Sequence, residues 1–179
     1  MTTIRPIEPG DKDLVRAFYN ELSERSRRLR FLVPTSEISD EDLAYLTEVD
    51  HRRHEAVVAL DGERMVGAAR YVRTPGVQPE SAEVAVVVVD DRQNQGIGTA
   101  LLDDLTQRAR ENGIVRYTAL VSDDNDIVLG ALERAGATRT GGTDDGEVEF
   151  ALDVPAEGLG ERLSAALRGV AVALRRLRP

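Results

Sequence analysis

The sequence predicts an α/β domain with a mixed central sheet of six to seven strands and helices on both faces. Three observations carry this. Apolar runs rich in β-branched residues alternate with stretches of helical periodicity. Asp61-Gly62, a dipeptide typical of tight hairpins, separates two such runs. The run from Glu83 to Val89 is so rich in valine that it leaves no polar face, as a central strand requires.

Each element has a local reason. Thr3 to Pro6 reads as a short first strand, closed by Pro6, Pro9 and Gly10. Asp11 is placed to cap a helix whose Leu14, Val15, Phe18 and Leu22 share one face. Ser23 caps a second, arginine-bearing helix that Pro34 stops. Ser39 and Asp42 form a capping box ahead of Leu43, Leu46 and Val49. Glu55 to Leu60 and Met65 to Val72 are the two strands of the hairpin. After the central strand, residues Gly98 to Glu111 place Leu101, Leu102, Leu105 and Ala109 on one helical face, ending at Asn112-Gly113. Val115 to Val121 is a strand, Asp123 to Ala135 a helix stopped by Gly136, and two strands near Ala137–Thr140 and Glu147–Leu152 finish the domain. The predicted division is a domain over residues 1–152 and an amphipathic, basic helical extension over 153–179. In that extension Leu159, Leu163, Leu167, Val170, Leu174 and Leu177 form a stripe opposite arginines. Such a helix packs on its own domain or pairs in a homodimer; with no aromatic anchor, a membrane surface is disfavoured.

Composition narrows the function. The chain of 179 residues has no cysteine, which excludes disulfides, thiolate metal sites and cysteine nucleophiles. Two histidines argue against a histidine-rich metal site, so no metal is expected. The formal charge of −9 argues against nucleic acid as a partner. No run approaches the ~20 apolar residues of a membrane helix, and no signal peptide opens the chain, so a cytoplasmic location is expected.

The chemistry centres on Gln93-Asn94-Gln95-Gly96-Ile97-Gly98-Thr99, between a strand and a helix. Glycines let backbone N–H groups approach phosphate oxygens, and the helix N-terminus adds favourable partial charge. Glycines also make ordinary strand-to-helix turns, so the turn alone is a weak signal. Two phosphate motifs fail here. No Gly-Lys-Ser/Thr follows, and Leu101 stands where a dinucleotide fingerprint needs its third glycine.

The run from Val86 to Leu102 instead resembles the signature of the GCN5-related N-acetyltransferase (GNAT) superfamily, Gln/Arg-x-x-Gly-x-Gly/Ala after a valine-rich strand. A second block of that family is matched by Asn125, followed eleven residues later by Gly136. The resemblance spans roughly residues 3 to 152. It implies a splayed sheet with acetyl-CoA as cosubstrate. Backbone groups of Val86, Val87 and Val88 would bond the pantetheine arm, amides from Gln93 to Thr99 would hold the pyrophosphate, and Asn125 would lie near the thiol end.

Glu83 is the candidate general base. It sits in an otherwise apolar strand, Ala82-Glu83-Val84-Ala85-Val86, and burial would raise its pKa toward that needed to deprotonate an ammonium near neutral pH. Its position thirteen residues before Gly96 resembles that of the catalytic glutamate in bacterial protein-lysine acetyltransferases. The alternative is a solvated glutamate paired with Arg70 or Arg73. Many family members carry a tyrosine, for the departing thiolate, where this chain has Leu132. Tyr117 lies on a neighbouring strand with nothing to aim it. The segment from Leu22 to Phe31 resembles the same protein-lysine group, whose domain is commonly joined to a regulatory one; no such domain is read here. Arg25, Arg27, Arg28 and Arg30 are candidates for phosphate or acidic-substrate contact, or a solvated helix face. His51 and His54 are candidates for a second base or a surface loop, and Asp123, Asp124 and Asp126 read as helix caps. The expected activity is acetyl transfer to a primary amine, a protein lysine or a small molecule. A non-catalytic acyl-CoA sensor is the alternative.

Overall fold

The computed structural model describes residues 1–31, 37–143, 146–156 and 158–165. One seven-stranded sheet runs through it, in the order β1-β2-β3-β4-β5-β7-β6. The strands are β1 Thr2–Pro6, β2 His54–Asp61, β3 Arg64–Arg73, β4 Ser81–Val88, β5 Arg116–Ser122, β6 Thr138–Thr143 and β7 Glu147–Asp153. The β2–β3 hairpin pairs Asp61 with Arg64, so its turn is Gly62-Glu63, one residue on from the expected Asp61-Gly62, with Gly62 at φ 63° in the first turn position. All neighbours are antiparallel except β4 and β5, which are parallel. The sheet is therefore mixed, as expected.

Helices cover both faces. They are α1 Lys12–Glu21, α2 Glu24–Phe31, α3 Asp40–Thr47, α4 Ile97–Glu111 and α5 Asp126–Arg134. Ser39 caps α3 as the sequence predicts: its hydroxyl accepts from the Asp42 amide at 3.0 Å. Phe18, Tyr19 and Val15 of α1 pack with Ala68 and Val87 on one face of the sheet. Leu102 of α4 and Leu132 of α5 pack with Tyr117 and Phe150 on the other. The α4 face holds the deepest part of the core, where Leu101, Leu105 and Ala109 have no exposed surface. Those are the residues the helical periodicity places inward.

The C-terminal helix is described only in part. Residues 159–165 are helical, and the rest of the predicted stripe, from 166 onward, lies outside the described residues. Among the described residues no helix is long and apolar enough to cross a membrane.

Leu101 is wholly buried where α4 meets the sheet. We expect Leu101→Ala to destabilise the domain by about 3 kcal/mol through lost burial and the cavity left behind. Chemical denaturation monitored by circular dichroism checks this, and a loss under 1 kcal/mol would mean that α4 is not anchored there.

Candidate active site

The site begins where two strands stop pairing. β4 and β5 are in register only at Ser81–Arg116, Ala82–Tyr117 and Glu83–Thr118. From Val84 onward β4 keeps its partner β3 but has none on its other side. The direction of its backbone groups follows from the flanking bonds. The Glu80 carbonyl accepts from the amides of Val115 (3.0 Å) and Arg116 (3.2 Å), toward β5. The Ser81 carbonyl accepts from Thr74, and the Val89 amide donates to Val66, both toward β3. Strand alternation then turns Val84, Val86 and Val88 toward the gap and leaves Ala85 and Val87 committed to β3. Of the three valines named from the sequence, Val86 and Val88 present backbone groups to the gap and Val87 does not. Val84, which the sequence reading passed over, adds its carbonyl, its amide being used by the last rung with Thr118; the two-residue period of the valine run was the available signal.

The glycine turn closes one side of this gap. Asn94 (φ 62°) and Gly96 (φ 82°) adopt left-handed conformations, and Gly96 is the N-cap of α4. A Cβ at Gly96 would meet nothing within 4 Å, so backbone angle, not space, calls for glycine there. The first α4 amide bonded back to the turn is that of Ala100, to the Gly96 carbonyl at 3.0 Å. The amides of Ile97, Gly98 and Thr99 are first-turn donors with no intrahelical acceptor. Gln93 pins the turn to the strand, its side-chain amide donating to the Val88 carbonyl at 3.1 Å. Gln95 does the same to Asp91, at 3.2 Å. Asn125 is the N-cap of α5, at the end of β5 across the gap from the α4 N-terminus.

Two aspartates precede the turn, and each is engaged elsewhere. Asp91 accepts two bonds from Arg64, at 3.0 and 3.1 Å, which hold its carboxyl below the usual range. Asp90 accepts from the Ser23 amide (3.1 Å) and from the hydroxyls of Ser23 (2.8 Å) and Ser26 (2.9 Å). Arg92 is paired with Asp61. First-turn amides with the acids drawn off make a fitting anion site.

Comparison with known proteins agrees with this geometry. The family model described as acetyltransferase (GNAT) matches residues 15–137. The chain belongs to the acetyltransferase (GNAT) family. It is 38% identical over 126 residues to an acetyltransferase of Pseudomonas aeruginosa, covering 68% of this chain and 67% of that one. It is 34% identical over 157 residues to acetyltransferase Pat of Mycolicibacterium smegmatis, covering 85% of this chain and 45% of that longer one. Among solved structures, the GNAT domain of S. lividans PAT superposes with a TM-score of 0.77 at 32% identity, over 85% of this chain and 90% of that one. Family members use acetyl-CoA, and among the described residues no group of acidic or histidine side chains is arranged to hold a metal.

In this acetyltransferase Glu83 stands on the last paired rung before the gap. Its side chain is on the α1–α3 face, with Val87, and it is exposed. The burial expected from its apolar neighbours is therefore not found. Those neighbours alternate, so Ala82 and Val84 face α4 while Glu83 faces a part of the sheet that α1 and α3 leave open. The pairing alternative is not found either. Arg73 binds Glu80 and the Asn112 carbonyl, and Glu83 has no hydrogen bond or ion pair to a described residue.

Tyr117 is also settled by packing. It is 2% exposed beneath α4, its hydroxyl donates to the Leu105 carbonyl at 3.4 Å, and burial pushes its pKa up. Its hydroxyl is turned under α4 toward Leu105, while its ring lines the apolar cavity beside Val84 and Thr118. His51 bonds the buried Glu55 at 2.7 Å, near the far end of α4 where Arg108 approaches the same carboxylate. Arg25 is exposed, Arg27 lies over the Tyr19 ring at 5.4 Å, and the side chains of Arg28 and Arg30 lie outside the described residues. Asp124 accepts from the Ser122 hydroxyl at 2.7 Å, a local turn contact.

His54 shares the Glu83 face, since both stand opposite Val72 on β3. It bonds Arg70 and lies 5.0 Å from the Tyr45 ring, and Arg70 is 4.9 Å from that ring. Burial, helped by Arg70, lowers the His54 pKa from its usual 6.5 to about 4. Between those values the unfolded chain holds more protons than the native one, so stability falls as pH drops through that window. We expect His54→Gln to flatten the decline between pH 6.5 and pH 4. Urea midpoints across that range check it, and an unchanged slope would remove His54 as its source.

Proposed function

We propose that the chain transfers an acetyl group from acetyl-CoA to a primary amine, with Glu83 as general base. One observation carries the reading: β4 parts from β5 directly after Glu83. A carboxylate and a run of open backbone donors thus meet at one point, approached from opposite faces. The anion-binding turn at α4 and the helix start at Asn125 flank that gap.

The residues fit the cosubstrate in kind. Amides of Ile97, Gly98 and Thr99, with the open turn at Asn94 to Gly96, would hold the pyrophosphate. The Val84 carbonyl, the Val86 amide and carbonyl, and the Val88 amide would pair with the amide-bearing arm as a further strand pairs with an edge. Acetyl-CoA supplies the activated acyl group as a thioester.

The acceptor arrives as an ammonium and must lose a proton before its nitrogen can attack. Glu83 takes that proton, directly or through water. The nitrogen–carbon bond then forms as the carbon–sulfur bond breaks. An unpaired β4 amide donates to the carbonyl oxygen as negative charge grows on it. The departing thiolate takes its proton from solvent, because Leu132 is apolar and the Tyr117 hydroxyl is turned under α4. Both a protein lysine and a small-molecule amine satisfy this scheme.

Glu83→Gln should lower turnover roughly 100-fold with acetyl-CoA affinity unchanged. Thiol release across a panel of polyamines, amino acids, aminoglycosides and lysine peptides supplies the assay. A rate that is unaltered at every pH would remove Glu83 from the role. Binding of acetyl-CoA without acceptor-dependent release would favour a sensor.

A further inference from the structure

The family model ends at residue 137, yet residues 158–165 pack against the face of the sheet that α4 and α5 cover. Leu159 is 2% exposed. With Leu163 it walls an apolar cavity whose other lining includes Val84 and Thr118 from the two parting strands, and Leu102 and Leu132 from the two flanking helices. The segment therefore closes the α4 face of the gap where the strands separate.

A second contact reaches the phosphate turn itself. The Gly160 amide donates to Asp103 Oδ1 of α4 at 2.8 Å. A Cβ on Gly160 would lie 2.7 Å from the Thr99 carbonyl carbon and 2.8 Å from its Cα. Both are backbone atoms of the first turn of α4, so any side chain at position 160 must displace that turn. Its angle does not demand glycine; the close approach does. Arg162 fixes the other end of the segment, donating to the Ala135 carbonyl at the end of α5 at 2.8 Å. The segment thus spans from the start of α4 to the end of α5.

We propose that residues 158–165 complete the acyl-CoA site, with Gly160 as a positioning residue for the pyrophosphate-binding amides and Leu159 and Leu163 as one wall of the cleft. This rests on the reading that those amides hold the pyrophosphate. A Cβ on Gly160 also overlaps the Thr99 carbonyl oxygen, and displacing Thr99 misdirects the first-turn donors toward any phosphate they share. The wall excludes water from the apolar end of the gap, which strengthens the backbone bonds made there.

The test uses the full chain and calorimetric titration with both acetyl-CoA and free CoA. Gly160→Ala should weaken both ligands at least tenfold and to the same extent, because the pyrophosphate is common to them. In turnover it should raise the KM for acetyl-CoA and leave the acceptor KM unchanged, a split that general destabilisation does not produce. Leu163→Ala gives a milder removal of the wall, should weaken both ligands several-fold, and decides the matter if Gly160→Ala does not fold. Wild-type binding retained within twofold by the folded variants would overturn the proposal. Failure of the wild-type chain to bind either ligand would instead sink the cofactor reading beneath it.

Discussion

The molecule depends on the loss of pairing between β4 and β5 after three rungs. Up to Glu83 the sheet is continuous, and every backbone group on that side of β4 has a strand partner. Beyond it, the Val84 carbonyl and the gap-facing groups of Val86 and Val88 have none from β5, and Gln93 takes the Val88 carbonyl. Buried backbone groups without partners are costly, so such a gap persists only where water or a ligand can satisfy it. Under the proposed function, the amides of pantetheine would meet that need in the manner of an added strand. The same parting puts the N-termini of α4 and α5 on either side of the opening, because both helices begin just after the strands that separate.

In this acidic chain the carboxylates beside the glycine turn are neutralised by local pairing. The formal charge of −9 would oppose a phosphate if it acted at close range. Near the glycine turn it does not. Arg64 binds Asp91, Arg92 binds Asp61, and two serines take up Asp90. These contacts also tie α2 and the β2–β3 hairpin to the turn, so cancelling charge and fixing the loop are one set of bonds. On the opposite face, Arg70 lies diagonal to Glu83 across the β3–β4 ladder, held by His54 and Tyr45.

Much of the fold was legible in the sequence because its signals are local. The valine run, the Asp61-Gly62 dipeptide, the Ser39 capping box and the stripe of Leu101, Leu102, Leu105 and Ala109 each state a period or a terminus within a few residues. The glycine turn was legible for the same reason: Gly96 occupies a left-handed angle that few other residues adopt. Glu83 stands on the last paired rung, yet the burial its apolar neighbours predict is absent. Apolar neighbours in a strand alternate between faces, so they describe two environments, and neither need be that of the glutamate.

What the sequence determined by itself is the order of elements, the family and the position of the glycine turn. Only the tertiary structure decided that Glu83 is exposed, that Tyr117 points under α4, that Val84 joins the gap in place of Val87, and that Gly160 reaches Thr99. The reason is physical. Periodicity records what a segment prefers along its own axis, whereas exposure and contact depend on which distant elements cover it. The rung at which β4 and β5 part depends on the register of strands that lie an entire helix apart, and no local pattern encodes that distance.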